Sequence, residues 1–285
     1  MANRVLVLGA RGMLGHVAMK SFRENGDDVL GIAMEGPAPD VYVMDAASPA
    51  LDRFLYINKF DVVVNCIGIL NRQAEANPDL AVYLNGYLPH KLEQFYRNTG
   101  TKIIQPSTDC VFAGNTGPYD ERSAPDGQTF YDRSKAIGEI ANDKDLTMRM
   151  SIIGPDTNAG GIGLFNWFMR QSGRVSGYTN AVWTGITTVQ LAKGMIDAVR
   201  QGVTGLYHYV PDCSISKYGL LKIFAEVFER SDIEIVPVEE PRVDKSLVNT
   251  RVDFDHKIPD YRTMVEEMKC WMERNRELYP HYGRF

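Results

Sequence analysis

Residues 4–16 read RVLVLGARGMLGH, an apolar run closed by Gly9, Gly12 and Gly15 in the spacing G-x-x-G-x-x-G. Glycine permits a tight turn and lets a diphosphate approach the main chain. The helix that follows turns its free N–H groups toward the anion. A glycine triplet alone is a weak signal. This one sits where a strand feeds a helix, because Leu14, Val17, Ala18 and Phe22 then fall on one helical face. The turn Gly9, Arg11, Gly12, Met13, Leu14 and Gly15 is therefore expected to cradle a dinucleotide.

The same rhythm continues outward. Short apolar runs without polar alternation predict strands over 4–9, 28–33, 41–44, 61–66, 102–106 and 146–151, each covered on both faces. Between them, Ser48-Pro49 and Asn77-Pro78 read as a helix cap followed by the first helical residue. The second of these helices is expected to kink at Pro89 and end near Gly100. Alternating strands and helices predict an α/β fold, a Rossmann-like, doubly wound parallel sheet. After residue 151 come turn formers, then a helix over 188–201, a strand over 205–210, a helix over 216–230, a strand over 233–238 and a last helix from Tyr261. The expected organisation is a dinucleotide-binding domain over 1–154, to which 186–210 returns. A smaller C-terminal substrate-binding lobe would comprise 155–185 and 211–285.

The choice of dinucleotide turns on the end of the second strand, about 20 residues past the glycines, where an acid usually holds a ribose 2′-hydroxyl. Ala33 ends that strand and cannot do so. Arg11 suits a 2′-phosphate, whereas Glu35 argues the other way. NADP(H) is preferred, with NAD(H) as the alternative. Asp45, followed by Ala46, comes just after the third strand and could meet the adenine or cap a turn.

Size and composition set the outer bounds. The chain has 285 residues and a formal charge of −5, enough for a full core and without a general pull toward nucleic acid or anionic membrane. The four cysteines, Cys66, Cys110, Cys213 and Cys270, are scattered and read as reduced thiols. The five histidines form no metal pattern. The start runs straight into a strand rather than a leader, and no apolar run would span a bilayer. A cytoplasmic protein is expected.

Three tyrosine–lysine pairs have the i, i+4 spacing of one helix face: Tyr87/Lys91, Tyr131/Lys135 and Tyr218/Lys222. Spacing does not choose among them, but position does. Tyr87 and Lys91 straddle Pro89, and Tyr218 and Lys222 lie far from the glycine turn in sequence. Tyr131 and Lys135 follow the fifth strand and a long polar loop, which leaves the carboxyl edge where such sheets bind ligands.

With GARGMLG, Asp45, NCIG, STDCVFAG, GPYDE, FYDRSKAIGE and RMSIIG in this order over residues 4–154, the chain resembles the extended short-chain dehydrogenase/reductase family. Within that family it is most similar to the dTDP-4-dehydrorhamnose reductases. The resemblance implies a catalytic set of Thr108, Tyr131 and Lys135. Tyr131 would protonate a substrate carbonyl as hydride arrives from the cofactor. Lys135 would lower the phenol toward the working pH, from its ordinary value of about 10, and hold the nicotinamide ribose. Thr108 would hold the carbonyl, with Ser107 as its substitute. The end of the fourth strand, Asn65 with Cys66, Ile67 and Gly68, would line the cofactor, though Asn65 also suits a buried turn. Asp109 would orient the loop or touch substrate, and Asn85 reads as a local helix contact. A nucleotide-sugar substrate and a homodimer through the helices starting near Asn77 and Thr129 are further implications.

Two departures bear on the substrate. Cys110 stands where the reductases carry a tyrosine, and Ile152 where they carry a tryptophan. The sugar is therefore expected to differ. Candidates for its diphosphate are Arg174, Arg242, Lys245 and Arg251. Trp183 reads as a core residue rather than a stacking platform. A keto-sugar reductase is the leading reading. A sugar-nucleotide epimerase and a catalytically silent binding or regulatory subunit are the alternatives.

Overall fold

Alternate residues of the first strand enter different cores. In the computed structural model, which describes residues 2–36 and 38–283, β1 (Arg4–Leu8) sends Val5 and Val7 to one face. They pack there with Val17, Ala18 and Phe22 of α1 (Gly15–Glu24). Leu6 and Leu8 go to the other face, against Leu51, Phe54 and Leu55 of α2 (Ala50–Ile57). A run of four apolar residues, 5–8, is what a sheet covered on both sides requires.

The strands that follow are β2 (Asp28–Ala33), β3 (Val41–Val43), β4 (Val62–Asn65), β5 (Lys102–Thr108) and β6 (Leu146–Ile153). Between β4 and β5 lie α3 (Asn71–Ala76), α4 (Pro78–Ala81), a π-helical turn at Val82–Tyr87 and α5 (Leu88–Tyr96). Helix α6 (Phe130–Ile137) precedes β6, and α7 (Leu164–Met169) follows it. Then come β7 (Gly173–Tyr178), β8 (Ala181–Trp183), β9 (Gly185–Thr187), α8 (Thr188–Gln201) and β10 (Gly205–His208). The chain closes with β11 (Ile215–Ser216), α9 (Lys217–Val227), β12 (Ile233–Val238), β13 (Val243–Asp244) and α10 (Tyr261–Arg274).

The main sheet runs β10-β6-β5-β4-β1-β2-β3, and every neighbouring pair is parallel. β9 adds to the end of β6, pairing Ser151 with Gly185 and Ile153 with Thr187. This is the expected doubly wound, Rossmann-like α/β fold. The remaining strands form two small sheets, β11-β8-β13 and β12-β7, joined by α9 and α10 to the rest of the chain. Among the described residues no helix is long and apolar enough to cross a membrane.

Local differences from expectation have physical causes. β5 and β6 each run two residues further than their apolar stretches, because Ser107 and Thr108 still pair with Arg149 and Met150, and Ile152 and Ile153 pair with Ile186 and Thr187 of β9. Asn77 does not cap with its side chain, which instead donates to the Gln73 carbonyl of α3. The kink expected at Pro89 takes the form of the π-helical turn just before it. Proline has no N–H for the regular ladder, and the widened turn accommodates this. Ser48 accepts from the Ala50 N–H at 3.2 Å, so α2 starts one residue after Pro49. Trp183 is 2% exposed and belongs to the core, as expected.

Candidate active site

The glycine turn is built as its spacing requires. Gly9 has φ +74°, and a Cβ there would lie 3.0 Å from the Cys66 carbonyl group. A Cβ on Gly15 would lie 2.0 Å from the Gly9 oxygen, so only glycine lets α1 start against the turn. The N–H groups of Met13 and Leu14 at the head of α1 find no backbone acceptor among the described residues. An open cradle with free donors at a helix N-terminus fits a dinucleotide diphosphate.

Helix α6 begins with a reciprocal cap. Thr129 Oγ1 accepts from the Asp132 N–H at 3.1 Å, and the Asp132 carboxylate accepts from the Thr129 N–H at 3.1 Å. The helix then presents Tyr131 and Lys135, 7% and 8% exposed, to the end of β5. The Lys135 ammonium donates to the Pro106 carbonyl at 2.8 Å. Burial lowers its pKa to about 8, opposed chiefly by the negative charge of Glu139. The same burial pushes the Cys66 thiol up to about 12, with Lys135 acting against it.

The Tyr131 phenol is well above its ordinary value. Burial is the main cause, Cys110, Asp109 and Asp132 add to it, and a hydrogen bond with Thr108 opposes it. This differs from the expectation that Lys135 would draw the phenol toward neutrality. The Lys135 ammonium is directed at the Pro106 carbonyl, and burial outweighs every charge that acts on Tyr131. The phenol accordingly keeps its proton at neutral pH. Thr108 accepts from the Cys110 N–H at 3.1 Å and lies 3.2 Å from the Asp109 carboxylate.

A cavity of ≈ 400 Å³ opens at this edge of the sheet. Its walls bring together Gly12, Met13 and Leu14 of the turn, Cys66, Ile67 and Gly68 after β4, and Ser107, Thr108 and Cys110. Tyr131, Lys135 and Ile152 complete the expected set. Gly9, Arg11 and Gly15 shape the turn from outside that wall. Asp109 is 4% exposed and lies behind Thr108, where burial raises its pKa against the pull of Lys217 and Lys245. It faces the charges of Lys217 and Lys245 rather than lining the cavity.

Asp45 is exposed and spends one carboxylate oxygen on the Ala47 N–H at 2.8 Å, so it caps a turn. Ala46 is buried in the α2 core. The Arg11 side chain lies over Gly36, where a Cβ would meet its Cζ at 2.8 Å, just past Ala33 at the end of β2. Asn65 donates to Gln105 at 2.8 Å and accepts from the Ile67 N–H at 3.3 Å, a satisfied buried turn. Asn85, in the π-helical turn, does more than a local contact. It donates to the Ile69 carbonyl at 2.9 Å, accepts from the Ile69 N–H at 3.0 Å and donates to Ser134 at 3.1 Å, joining the loop after β4 to α6.

Ser107 is already engaged. Its hydroxyl donates to Glu139 at 2.6 Å, and Glu139 pairs with Arg149, whose Nε lies 2.8 Å away. Arg149 continues to His208 at 2.9 Å and stacks over Phe112. Burial and Arg149 lower the His208 pKa. Sequence reading missed this support, along with Leu70, Asn71, Asp156, Ile162 and Gly163, which complete the cavity wall. The turn formers around 154–163 marked a loop, but not its position over the cavity.

A parallel sheet in this order, with a glycine turn and a tyrosine–lysine helix at its carboxyl edge, defines a dinucleotide-binding protein of the short-chain dehydrogenase/reductase type. The chain belongs to the family described as the RmlD substrate binding domain, whose model matches residues 3–268. It is 26% identical over 258 residues to methionine adenosyltransferase 2 subunit beta of Xenopus laevis, covering 84% of this chain and 77% of that protein. It is 27% identical over 254 residues to dTDP-4-keto-6-deoxy-D-glucose reductase of Streptomyces niveus, covering 85% of each. Its fold matches dTDP-4-dehydrorhamnose reductase of Bacillus anthracis in complex with NADP, at a TM-score of 0.81 and 18% identity over 95% of this chain and 100% of that one.

Proposed function

We propose that the chain is an NAD(P)H-dependent reductase of a nucleotide-linked 4-keto-6-deoxy sugar. The observation that carries this reading is the convergence of Thr108, Tyr131 and Lys135 with the glycine turn on one cavity. In this reading 1–154 and 186–210 hold the cofactor, and 155–185 and 211–285 form the substrate lobe.

The bound nicotinamide would supply hydride. The chain does the rest. Thr108 orients the substrate carbonyl oxygen, and Tyr131 gives that oxygen its phenolic proton. A phenol that burial keeps protonated is the form a proton donor needs. Lys135 braces β5 through Pro106 and keeps a positive charge beside the cofactor ribose. Met13 and Leu14 offer their N–H groups to the diphosphate, and Cys66 to Gly68 bound the nicotinamide side. The Arg11 guanidinium beside Gly36, with Ala33 ending β2, supports NADP(H) over NAD(H).

The similarity to methionine adenosyltransferase 2 subunit beta favours one other reading, a subunit that keeps the fold and acts by binding a partner. The two readings separate in a simple assay. The protein is incubated with NADPH or NADH and a panel of nucleotide-linked 4-keto-6-deoxy sugars, and absorbance is followed at the reduced-nicotinamide band. Oxidation that requires one keto sugar supports the reductase. A new sugar isomer without net oxidation would indicate an epimerase. Cofactor binding with neither outcome would favour the subunit.

A further inference from the structure

One wall of the cavity is a loop. Asp156, Ile162 and Gly163 line it together with Gly12, Met13 and Leu14 of the glycine turn. They belong to residues 154–163, which follow β6 and contain no helix or strand. A segment of that kind keeps one shape only where something ties it down. A single amide does so. Asn166 of α7 is 2% exposed, and its Nδ2 donates to the Gly154 carbonyl at 3.0 Å and to the Ile162 carbonyl at 2.7 Å. Both ends of the loop are thus gathered on one side chain. The loop also reaches the glycine turn directly, where the Thr157 hydroxyl lies 3.4 Å from the Arg11 carbonyl oxygen.

The amide is oriented from far along the chain. Past α10, two short 3₁₀ turns, Arg276–Leu278 and Pro280–Tyr282, bring in Tyr279 and Tyr282. The Tyr282 hydroxyl donates to Asn166 Oδ1 and accepts from the Asp156 N–H at 2.9 Å. A carboxamide can turn over, and a donor on its oxygen fixes its nitrogen toward the two loop carbonyls. The Tyr282 ring is held against Phe165, with centroids 5.7 Å apart. The Asp156 carboxylate is spent within the loop, accepting from the Asn158 N–H at 2.9 Å. Tyr279 meets the other wall. Its hydroxyl lies 2.7 Å from His16 Nε2, and His16 Nδ1 lies 2.9 Å from the Gly12 carbonyl oxygen. Two phenols three residues apart therefore hold two walls of one cleft.

We propose that Tyr282, acting through Asn166, is a positioning residue for the cofactor: it sets the loop 154–163 against the glycine turn and so builds that wall of the dinucleotide cleft. The assignment rests on the reading of the cavity as the cofactor's site and requires nothing of the sugar. Tyr279 serves the glycine turn through His16, so the segment after α10 keeps the spacing between the two walls. A cofactor received between preset walls loses less in ordering them, which appears as tighter binding and slower release.

The test follows NADPH binding to the full chain by fluorescence, together with hydrogen exchange over residues 154–163. Tyr282→Phe deletes the hydroxyl and keeps the ring against Phe165. It should raise the NADPH Kd about tenfold, chiefly through faster release. Exchange over 154–163 should speed up while β1, β4 and β5 stay protected. Asn166→Leu should act alike, and adding Tyr282→Phe to it should change nothing further, because the two work as a unit. Thr101→Val controls for lost stability alone. It removes a buried hydrogen bond of 2.7 Å to the Phe60 carbonyl, at the end of β5 away from Thr108, and should bind NADPH like the parent. Unchanged NADPH affinity in Tyr282→Phe, full additivity with Asn166→Leu, or an equal loss in Thr101→Val would overturn the proposal and leave the cofactor reading intact. A parent chain that binds neither NADPH nor NADH would overturn both. NADPH held through Tyr282, with no keto sugar reduced, keeps the positioning residue and removes the reaction.

Discussion

Lys135 Nζ lies 2.8 Å from the Pro106 carbonyl oxygen, so the helix that carries Tyr131 and Lys135 is tied to the strand that carries Thr108. Tyr131, Lys135 and Glu139 follow one another at intervals of four along α6 and its end. They meet Thr108, Pro106 and Ser107 in turn. The geometry of the proposed catalytic set is thus a register between a helix and a strand end.

A fall in activity with rising pH is expected from Lys135. Burial holds its pKa near 8, below the ordinary lysine value. The ammonium is therefore present below that pH and lost above it. Reduction should be flat through neutrality and decline above pH 8, while Tyr131, shifted the opposite way, stays protonated throughout. The pH profile of kcat/KM checks this. Lys135→Met should remove the limb and lower the plateau.

The buried Glu139–Arg149 pair should be costly to break. Their side chains are 8% and 3% exposed, and Glu139→Gln leaves the guanidinium without its counter-charge. The expected loss is about 3–5 kcal/mol of stability, read from urea unfolding. Ser107→Ala removes only one neutral donor to that carboxylate and should cost less, about 1 kcal/mol.

His16 connects the glycine turn to the C-terminal segment. Its ring lies 2.9 Å from the Gly12 carbonyl and 2.7 Å from the Tyr279 hydroxyl, which also accepts from the Trp271 indole at 3.0 Å. Tyr279→Phe should destabilise the chain by about 1–3 kcal/mol, because it strands buried polar groups. The effect should also appear as weaker NADPH binding.

Acid should act through the same residue. Burial lowers the His16 pKa below its ordinary 6.5. As pH falls through 6.5 the unfolded imidazole gains a proton and the folded one resists it, so protons favour unfolding. His208, lowered likewise, adds to the slope. The melting temperature should drop between pH 7 and pH 5, and His16→Gln should flatten that drop.

The parts legible in the sequence are those with a short-range signature. The glycine turn and the two-faced strands each follow from neighbours along the chain. So does the choice of Tyr131 over Tyr87 and Tyr218, once position relative to the fifth strand is used. What escaped depends on partners far away in sequence. β8, β9, β11 and β13 have three residues or fewer, too short for a period to show. Asp109 suits either a loop-orienting role or a ligand contact until the fold buries it near Lys217 and Lys245. Ser107 looks available until Glu139, engaged with Arg149, takes its hydroxyl. The pull of Lys135 on Tyr131 is an implication of the resemblance, which does not reveal that a carbonyl of the adjacent strand accepts from the ammonium.

The most direct test of the central claim follows the hydrogen itself. Tyr131→Phe and the parent chain are each given NADPH deuterated at the transferring position, with the keto sugar that supports oxidation. The account predicts deuterium at the reduced carbon of the sugar for the parent. It also predicts a fall of about 10²–10⁴ in turnover for Tyr131→Phe, with NADPH binding retained. Deuterium absent from the product, or turnover undiminished in the phenylalanine variant, would contradict it.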